Sequence, residues 1–193
     1  MLEKLYYDHL VNRPKGFRSK NVFHPSSIHL PAKELYKRYF GGDQTPFPPN
    51  VLALFELGHW VHEKLQGTFK EMGILIADEV RVRHKELQIS GSADGIVDIP
   101  MPDGTKKRGV LEIKTMSLTA FFTEPEKPKR EHLWQLNCYM MCLGIDRGVL
   151  LYYCKDNSQM RCHYVKADKV IQREIVEKLV YVLACIKEGV EPE

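Results

Sequence analysis

Two segments of the sequence carry charged side chains on backbones that are otherwise typical of buried β-strands. The run VLEIKT holds Glu112 and Lys114 two residues apart, and the period of two in a strand puts both side chains on one face. The run GSADGIVDI holds Asp94 among small residues, which let a ligand or a second backbone approach closely. Charged groups on an apolar strand cost desolvation energy unless they pair or bind something. These residues therefore indicate either an ordinary ion pair or a cation site.

The turn between the two segments decides whether the acidic side chains meet. If the turn that includes Asp103 and Gly104 is centred so that paired residue numbers add up to 206, Asp94 lies directly opposite Glu112. Directly paired residues share a face, with Cβ atoms about 4.5 to 5.5 Å apart. Two carboxylates at that separation repel each other unless one is protonated or a cation lies between them. A slip of one residue would put them on opposite faces, so the predicted metal site depends on this register.

A long helix predicted before these strands contributes imidazole groups. In FELGHWVHEKLQ, His62 follows His59 by three residues, so both lie on nearly the same face, and either could reach a cation held by the two carboxylates. The alternative for a single helical histidine is a surface position or a hydrogen-bonded structural role. The run HWVHE is not a zinc-protease motif, because no glutamate directly precedes the second histidine as the inverted motif requires.

A second predicted helix, EHLWQLNCYMMCLG, places Gln135 and Tyr139 four residues apart and therefore on one face. An amide and a phenol side by side suit a phosphate oxygen or the edge of a base. The alternative is a half-buried tyrosine beside a solvated glutamine. Glu79, on the strand before Asp94, is a further acidic candidate, and the alternative for it is a surface residue.

The elements that must position these residues follow from changes in hydrophobic period along the chain. Apolar residues recur at helical spacing in the long helix, and β-branched residues dominate the three segments that follow it. The predicted order is two helices, three antiparallel strands, a helix, two strands and a helix, at residues 26–40, 51–72, 74–82, 87–99, 109–114, 129–144, 148–154, 160–165 and 167–188. This order predicts an α/β fold with a mixed central β-sheet, an antiparallel meander at its core, flanked by helices.

Length and composition narrow the class of protein. The 193 residues fit a single domain, 1–193, with a basic irregular lead-in over 1–25, a core over 50–165 and a C-terminal helix over 167–188. No apolar run reaches the roughly 18 to 20 residues of a membrane span, and the first residues lack the apolar stretch of a signal peptide. A cytoplasmic protein with no membrane partner is therefore expected. The net charge of +3 is too small to indicate a nucleic-acid partner by itself.

Taken in order, the motifs resemble the PD-(D/E)XK nuclease superfamily, and within it the RecB-like exonuclease branch. The matching run is the helix GHWVH with His62, the strand GSADG with Asp94, the strand LEIKT with Glu112 and Lys114, the QxxxY helix with Gln135 and Tyr139, and the strand-turn LLYYCKDNSQ with Lys155. Each motif alone is common, but the ordered set is specific, and it spans residues 58–158. The resemblance implies a restriction-endonuclease-like nuclease core.

The resemblance also implies a metal site and a catalytic set. His62, Asp94, Glu112 and the backbone carbonyl of Ile113 would hold one or two Mg²⁺ or Mn²⁺ ions. Lys114 would position or activate the attacking water, so that Asp94, Glu112 and Lys114 are the catalytic residues. Because an imidazole ligand suits transition metals better than Mg²⁺, activity is expected to be higher with Mn²⁺ if His62 coordinates the ion.

The remaining positions imply contacts to DNA and exclude one cofactor. Gln135 and Tyr139 would shape the DNA-binding side of the site, and Lys155 would lie at its edge. Several RecB-like nucleases hold an iron–sulfur cluster with one cysteine before the nuclease motifs and three after the QxxxY helix. This sequence has five cysteines and none before Cys138, so no iron–sulfur cluster of that arrangement is expected. The odd number and late positions of the cysteines also argue against a secreted disulfide framework.

The function that the resemblance implies is that of a metal-dependent deoxyribonuclease. The leading form is an exonuclease acting on single-stranded DNA ends in phage or bacterial DNA replication, recombination or repair. Alternatives are a structure-specific endonuclease on the same core, a non-catalytic DNA-binding subunit of a nuclease complex, and a domain whose charged strands only form ion pairs. The intact set of Asp94, Glu112 and Lys114 favours an enzyme. A helicase or recombination partner and the oligomeric state stay open.

Overall fold

A computed structural model of the chain describes residues 1–13, 19–42, 46–123 and 127–193. The elements are, in chain order, α1 (Leu2–Asn12), a 3₁₀ turn (Pro25–Ser27), α2 (Ala32–Tyr39), α3 (Pro49–Glu71), β1 (Leu75–His84), β2 (Ile89–Pro100), β3 (Lys106–Met116), α4 (Leu118–Thr123), α5 (Arg130–Leu143), β4 (Arg147–Cys154), β5 (Met160–Lys166) and α6 (Lys169–Glu188). The helix predicted over 26–40 is divided into the 3₁₀ turn and α2. Pro31 causes this division, because proline lacks an N–H donor and disfavours helical backbone in the residue before it.

The five strands form one mixed sheet in the order β1-β2-β3-β4-β5. The first three strands pair antiparallel, as do β4 and β5. β3 and β4 run parallel, with α4 and α5 in the connection between them. The predicted α/β architecture, a mixed sheet with an antiparallel meander and flanking helices, is therefore confirmed.

The helices lie in layers on both sides of the sheet. α3 packs on one face through Val61 and Leu65, and α5 packs on the opposite face through Leu136 and Met140. α6 packs against α5, and α2 packs against α6, in a hydrophobic cluster that includes Trp134. Because α5 is enclosed from several sides, seven consecutive residues of it are buried, and its buried polar side chains need partners inside the protein. In the described ranges, no helix combines the length and the apolar content that crossing a bilayer requires.

The N-terminal segment differs from the irregular lead-in that was expected over 1–25. Leu2–Asn12 forms helix α1, which packs against α3. The hydroxyl of Tyr6 donates a hydrogen bond of 3.3 Å to Glu56 on α3. An isolated helix of this length is marginal in water, so the contact with α3 supplies the packing that local sequence cannot. Residues 14–18 of the lead-in lie outside the described part of the chain.

Close packing around residue 95, next to Asp94, leaves no room for a side chain larger than that of glycine. A Cβ atom at Gly95 would lie 2.6 Å from Leu75 Cδ1 and 2.8 Å from the backbone oxygen of Ala77. We therefore expect Gly95→Ala to lower the free energy of unfolding by about 1 to 3 kcal/mol, as overpacking does. Urea denaturation measures the change. Gly67, inside α3, is the control: nothing lies within 4 Å of its added Cβ, so Gly67→Ala should raise stability by about 0.5 to 1 kcal/mol. A Gly95→Ala protein as stable as wild type would contradict this packing.

Candidate active site

The ladder between β2 and β3 has the register on which the candidate site depends. Paired residue numbers add up to 206, from Pro100 with Lys106 to Gly95 with Leu111. The ladder ends at that pair, and Asp94 is the next residue of β2. Its side chain replaces a backbone partner, because Asp94 Oδ2 accepts a hydrogen bond of 2.5 Å from the N–H of Ile113. The predicted direct pairing of Asp94 with Glu112 is therefore not formed, although the register that leads to it is the predicted one. The two strands separate at Asp94, and we call this position the fork.

β3 contributes a buried carboxylate to the fork. Glu112 is 3% exposed, and its Oε1 lies 2.7 Å from Lys114 Nζ. Burial and then the charge of Asp94 raise the pKa of Glu112 to about 7, although Lys114 and His62 act in the opposite direction. Asp94 and Glu112 are thus within electrostatic range of each other, and their charges repel. A divalent cation between them would relieve that repulsion.

α3 brings His62 to the fork but not His59. Nδ1 of His62 lies 3.2 Å from Asp94 Oδ1. Burial alone would lower the pKa of His62, but the bond to Asp94 and the charges of Asp94 and Glu112 outweigh it, so the pKa is raised. His59 instead pairs with Glu63 at 3.2 Å, and both of these side chains are largely exposed. Of the two imidazoles that the helical spacing offered, the structure places only His62 at the carboxylates.

Gln66 belongs to the same group, although the motifs do not include it. Its side chain is buried and donates from Nε2 to the backbone oxygen of Asp94 at 2.8 Å and to Glu79 Oε1 at 3.1 Å. Glu79 also accepts a hydrogen bond of 3.2 Å from the hydroxyl of Ser92. Its backbone has φ of 45°, a left-handed conformation that residues other than glycine seldom adopt. Glu79 thus lies beside the fork. The sequence feature that could have indicated Gln66 is its spacing of four residues from His62, which puts both side chains on one face of α3.

α5, which covers the face of the sheet opposite α3, holds the side chain of Lys114. Lys114 Nζ donates to Gln135 Oε1 at 2.8 Å, and Gln135 Nε2 donates to the hydroxyl of Tyr139 at 3.1 Å. Gln135 and Tyr139 are both buried, so the alternative of a solvated glutamine is wrong. Burial raises the pKa of Tyr139 well above its ordinary value, which keeps the phenol neutral. The amide is thereby fixed with its oxygen toward Lys114.

Lys155 lies at the end of β4, close in the sheet to the end of β3. Its backbone N–H donates to the oxygen of Met116 at 2.9 Å. No hydrogen bond or ion pair joins the Lys155 side chain to the fork within the part of the chain that the structure describes. Its expected contact with DNA therefore stays a prediction.

The donor set at the fork suits a hard divalent cation. Asp94 and Glu112 supply carboxylate oxygens, and oxygen ligands are what Mg²⁺ and Mn²⁺ prefer. The N–H and C=O of one strand residue point to the same side, so the carbonyl of Ile113 also faces the fork. Across the described ranges, no three His, Cys, Asp or Glu side chains form a ready-made metal cage. A cation at the fork would therefore bind Glu112, which contacts Lys114, and Asp94, which contacts His62. The backbone carbonyl of Ile113 would be a third oxygen ligand.

The chain shares its fold with solved structures that include an alkaline exonuclease. No protein-family model and no curated protein matches the sequence. The alkaline exonuclease LHK-Exo from Laribacter hongkongensis is 17% identical with a TM-score of 0.64, over 97% of this chain and 94% of that chain. Its complex with dAMP gives 20% identity and a TM-score of 0.63, over the same shares of the two chains. The protein SSO0001 gives 16% identity and a TM-score of 0.61, over 94% of this chain and 86% of that one. At these identities the likeness establishes the fold, and it extends over nearly the whole chain.

Proposed function

We propose that this chain is a metal-dependent DNA exonuclease of the RecB-like branch of the PD-(D/E)XK superfamily. The observation that carries the proposal is the fork, where the buried carboxylate of Glu112 lies beside Asp94 with Lys114 and His62 in contact. Two adjacent carboxylates, of which Glu112 has a raised pKa, are costly for the fold, and such arrangements concentrate at functional sites. The fold shared with an alkaline exonuclease supports the same reaction class.

Phosphodiester hydrolysis needs an in-line water, neutralisation of the phosphoryl oxygens and help for the departing 3′ oxygen. Asp94, Glu112 and the carbonyl of Ile113 would hold one or two Mg²⁺ or Mn²⁺ ions, with His62 as a nitrogen ligand. A bound cation supplies positive charge at the phosphate and lowers the pKa of water. The acidic side chains thereby set where the phosphate lies relative to Lys114.

Lys114 is the group of this chain that acts on the attacking water. Its ammonium is held between Glu112 and Gln135 at 2.7 and 2.8 Å, so its position is fixed before substrate binds. It can orient the water by hydrogen bonding and stabilise the negative charge that develops on the phosphoryl oxygens. Gln135 fixes the direction of the ammonium, and Tyr139 in turn fixes the amide.

The identity of the metal tests the role of His62. We predict that wild-type protein is more active with Mn²⁺ than with Mg²⁺, because an imidazole nitrogen suits transition metals better. His62→Ala should lower activity with Mn²⁺ by about tenfold or more, as loss of a ligand or its close partner does, and should reduce the preference for Mn²⁺. Rates with each metal, measured on one oligonucleotide, give the ratio. His59→Ala is the control, since His59 pairs with Glu63 away from the fork. An equal metal preference in wild type and His62→Ala would remove His62 from the metal site.

The substrate we propose is DNA with single-stranded ends, in phage or bacterial replication, recombination or repair. The experiment measures nucleotide release from an end-labelled linear oligonucleotide with Mn²⁺, and in parallel the integrity of closed circular DNA. An exonuclease releases nucleotides from the linear strand and leaves the circle intact. Cleavage of the circle would instead identify an endonuclease on the same core. Absence of metal-dependent cleavage of either DNA would leave the chain as a DNA-binding subunit and contradict the proposal.

A further inference from the structure

A cavity of about 310 Å³ lies between the start of α5, the middle of α6 and the segment that leads into α2. Its charged and aromatic lining residues are His29, Arg130, Glu131, Trp134 and Lys178. None of them belongs to the catalytic set proposed above. The cavity is therefore a candidate binding site separate from the catalytic residues.

Lys178 and Arg130 both place positive charge against one indole ring. Nζ of Lys178 lies 4.0 Å from the centre of the Trp134 ring and donates a hydrogen bond of 3.0 Å to the backbone oxygen of Leu30. The guanidinium carbon of Arg130 lies 5.5 Å from the same ring. In the part of the chain that the structure describes, no carboxylate lies within ion-pair distance of Lys178. Its charge is thus held by a ring face and a carbonyl.

The environment of Lys178 disfavours its charge. Burial, and then the positive charge of Arg130, lower the pKa of Lys178 to about 8, although Glu174 acts in the opposite direction. Two cations that repel each other across a partly buried cavity favour an anion between them. Glu131, the acidic residue of the described lining, lies 3.6 Å from Nε2 of His132, and its own side chain is 46% exposed.

The hydrogen-bonding capacity that remains in the cavity consists mainly of donors. A lysine ammonium has three N–H donors and no acceptor, and Lys178 uses one of them on Leu30. Arginine offers five donors in a planar fork that matches the oxygens of a phosphate. The face of Trp134 beneath Lys178 is not open to a stacked base. A ligand that fits is therefore an anion with several acceptor oxygens.

The cavity and the fork are neighbours along α5. Arg130 precedes Gln135 by five residues, which is about 7.5 Å of helix rise. Burial lowers the pKa of His29, the charge of Glu131 acts in the opposite direction, and the charges of Lys178 and Lys114 lower it further. His29, which lines the cavity, is therefore within electrostatic range of both Lys178 and Lys114.

We infer that this cavity binds a phosphate of the DNA strand, other than the one being cleaved, through Lys178 and Arg130. The inference rests on the proposed function, because it supplies the second point at which the strand is held. A DNA strand bound both at the fork and at this cavity has a fixed direction relative to Lys114. The cavity therefore contributes to substrate binding and leaves the chemical step to the fork.

The test is the salt dependence of DNA binding. The dissociation constant of a labelled single-stranded oligonucleotide is measured with EDTA present over a range of NaCl concentrations. Loss of one phosphate contact should reduce the slope of log K against log salt by about 0.7 for a single strand. We expect this reduction for Lys178→Gln and for Arg130→Gln, with a rise in KM of about three- to tenfold and kcat within about twofold of wild type. Because Lys178 also anchors Leu30, the exposed Arg130 provides a variant that does not disturb the fold.

Lys187→Gln and Arg173→Gln, both on α6 and outside the cavity, are the matched controls and should leave slope and KM unchanged. Slopes for the cavity variants that match the controls would overturn the inference. A melting temperature raised by inorganic phosphate in wild type but not in Lys178→Gln, with unchanged DNA slopes, would identify a site for free anions and also overturn it. If wild type does not cleave DNA but the cavity variants show the reduced slope, the nuclease proposal fails while the phosphate site stands.

Discussion

Lys114→Met should lower kcat for nucleotide release from DNA by at least about 100-fold, the scale typical of a lost general acid–base or charge-stabilising group. Methionine keeps the length of the side chain but removes the ammonium that Glu112 and Gln135 hold in place. The water and the phosphoryl oxygens then lose their positive partner. Single-turnover release of labelled nucleotide with saturating Mn²⁺ measures the change.

The control for this prediction is Lys106→Met, at the exposed beginning of the same strand. It removes the same charge from β3 at the end of the strand remote from Lys114, so its kcat should stay within about twofold of wild type, as expected for a surface substitution. Metal-dependent activity of Lys114→Met within threefold of wild type would show that another group acts on the water, or that a contaminant cleaves the DNA.

Glu112→Gln should abolish activity and leave stability intact. Without the charge of Glu112 the cation loses one of two carboxylate ligands, so we expect a fall of at least about 100-fold in activity at a fixed metal concentration. The free energy of unfolding should not fall in parallel. These two measurements separate a functional carboxylate from a structural one.

The expected stability follows from the pKa of Glu112, which burial and Asp94 raise from 4.5 to about 7 in the folded protein. Between these two values the folded state holds a proton that the unfolded state has released. The stabilising contribution of the protonated group is therefore complete below pH 4.5 and is lost as the pH rises through 7. At pH 8 without metal, glutamine avoids that loss, and unfolding free energy should be unchanged or higher by up to about 2 kcal/mol.

Urea denaturation of metal-free wild type and Glu112→Gln at pH 5 and pH 8 tests this. The free energy of unfolding of Glu112→Gln, relative to that of wild type, should be higher at pH 8 than at pH 5. If Glu112 and Lys114 formed only a stabilising ion pair, the variant would instead be less stable at pH 8. That result would favour the alternative in which the charged strands serve the fold.

The sequence predicts the register of the β2–β3 hairpin because that information is local, but it does not predict that the strands separate at Asp94. The turn at Asp103 and Gly104 fixes the centre of the β2–β3 hairpin, and a period of two then determines which residues face each other. Most other helix and strand boundaries follow in the same way from hydrophobic period, but α1 and the division of the segment 26–40 do not. The short α4 escapes prediction, because six residues are fewer than two turns and show no period.

The spacing of residues along the sequence does not predict contacts between distant parts of the chain. Gln66 reaches both Asp94 and Glu79 only because α3 crosses the sheet at the fork. The bond between Lys178 and the oxygen of Leu30 joins residues 148 positions apart. Neither can be inferred from the sequence around it, since the crossing of helices over a sheet is decided by packing of the whole core. The same reason explains why helical spacing offered His59 and His62 equally.

One cation is expected to bridge Asp94 and Glu112, and a crystal of the protein soaked with Mn²⁺ tests this bridge. The anomalous difference map should show a peak about 2.0 to 2.4 Å from a carboxylate oxygen of each residue, as expected for oxygen ligands of a small divalent ion. A map with no peak at the fork, or with manganese bound elsewhere while Glu112 remains paired with Lys114, would show that the two carboxylates do not hold a metal ion.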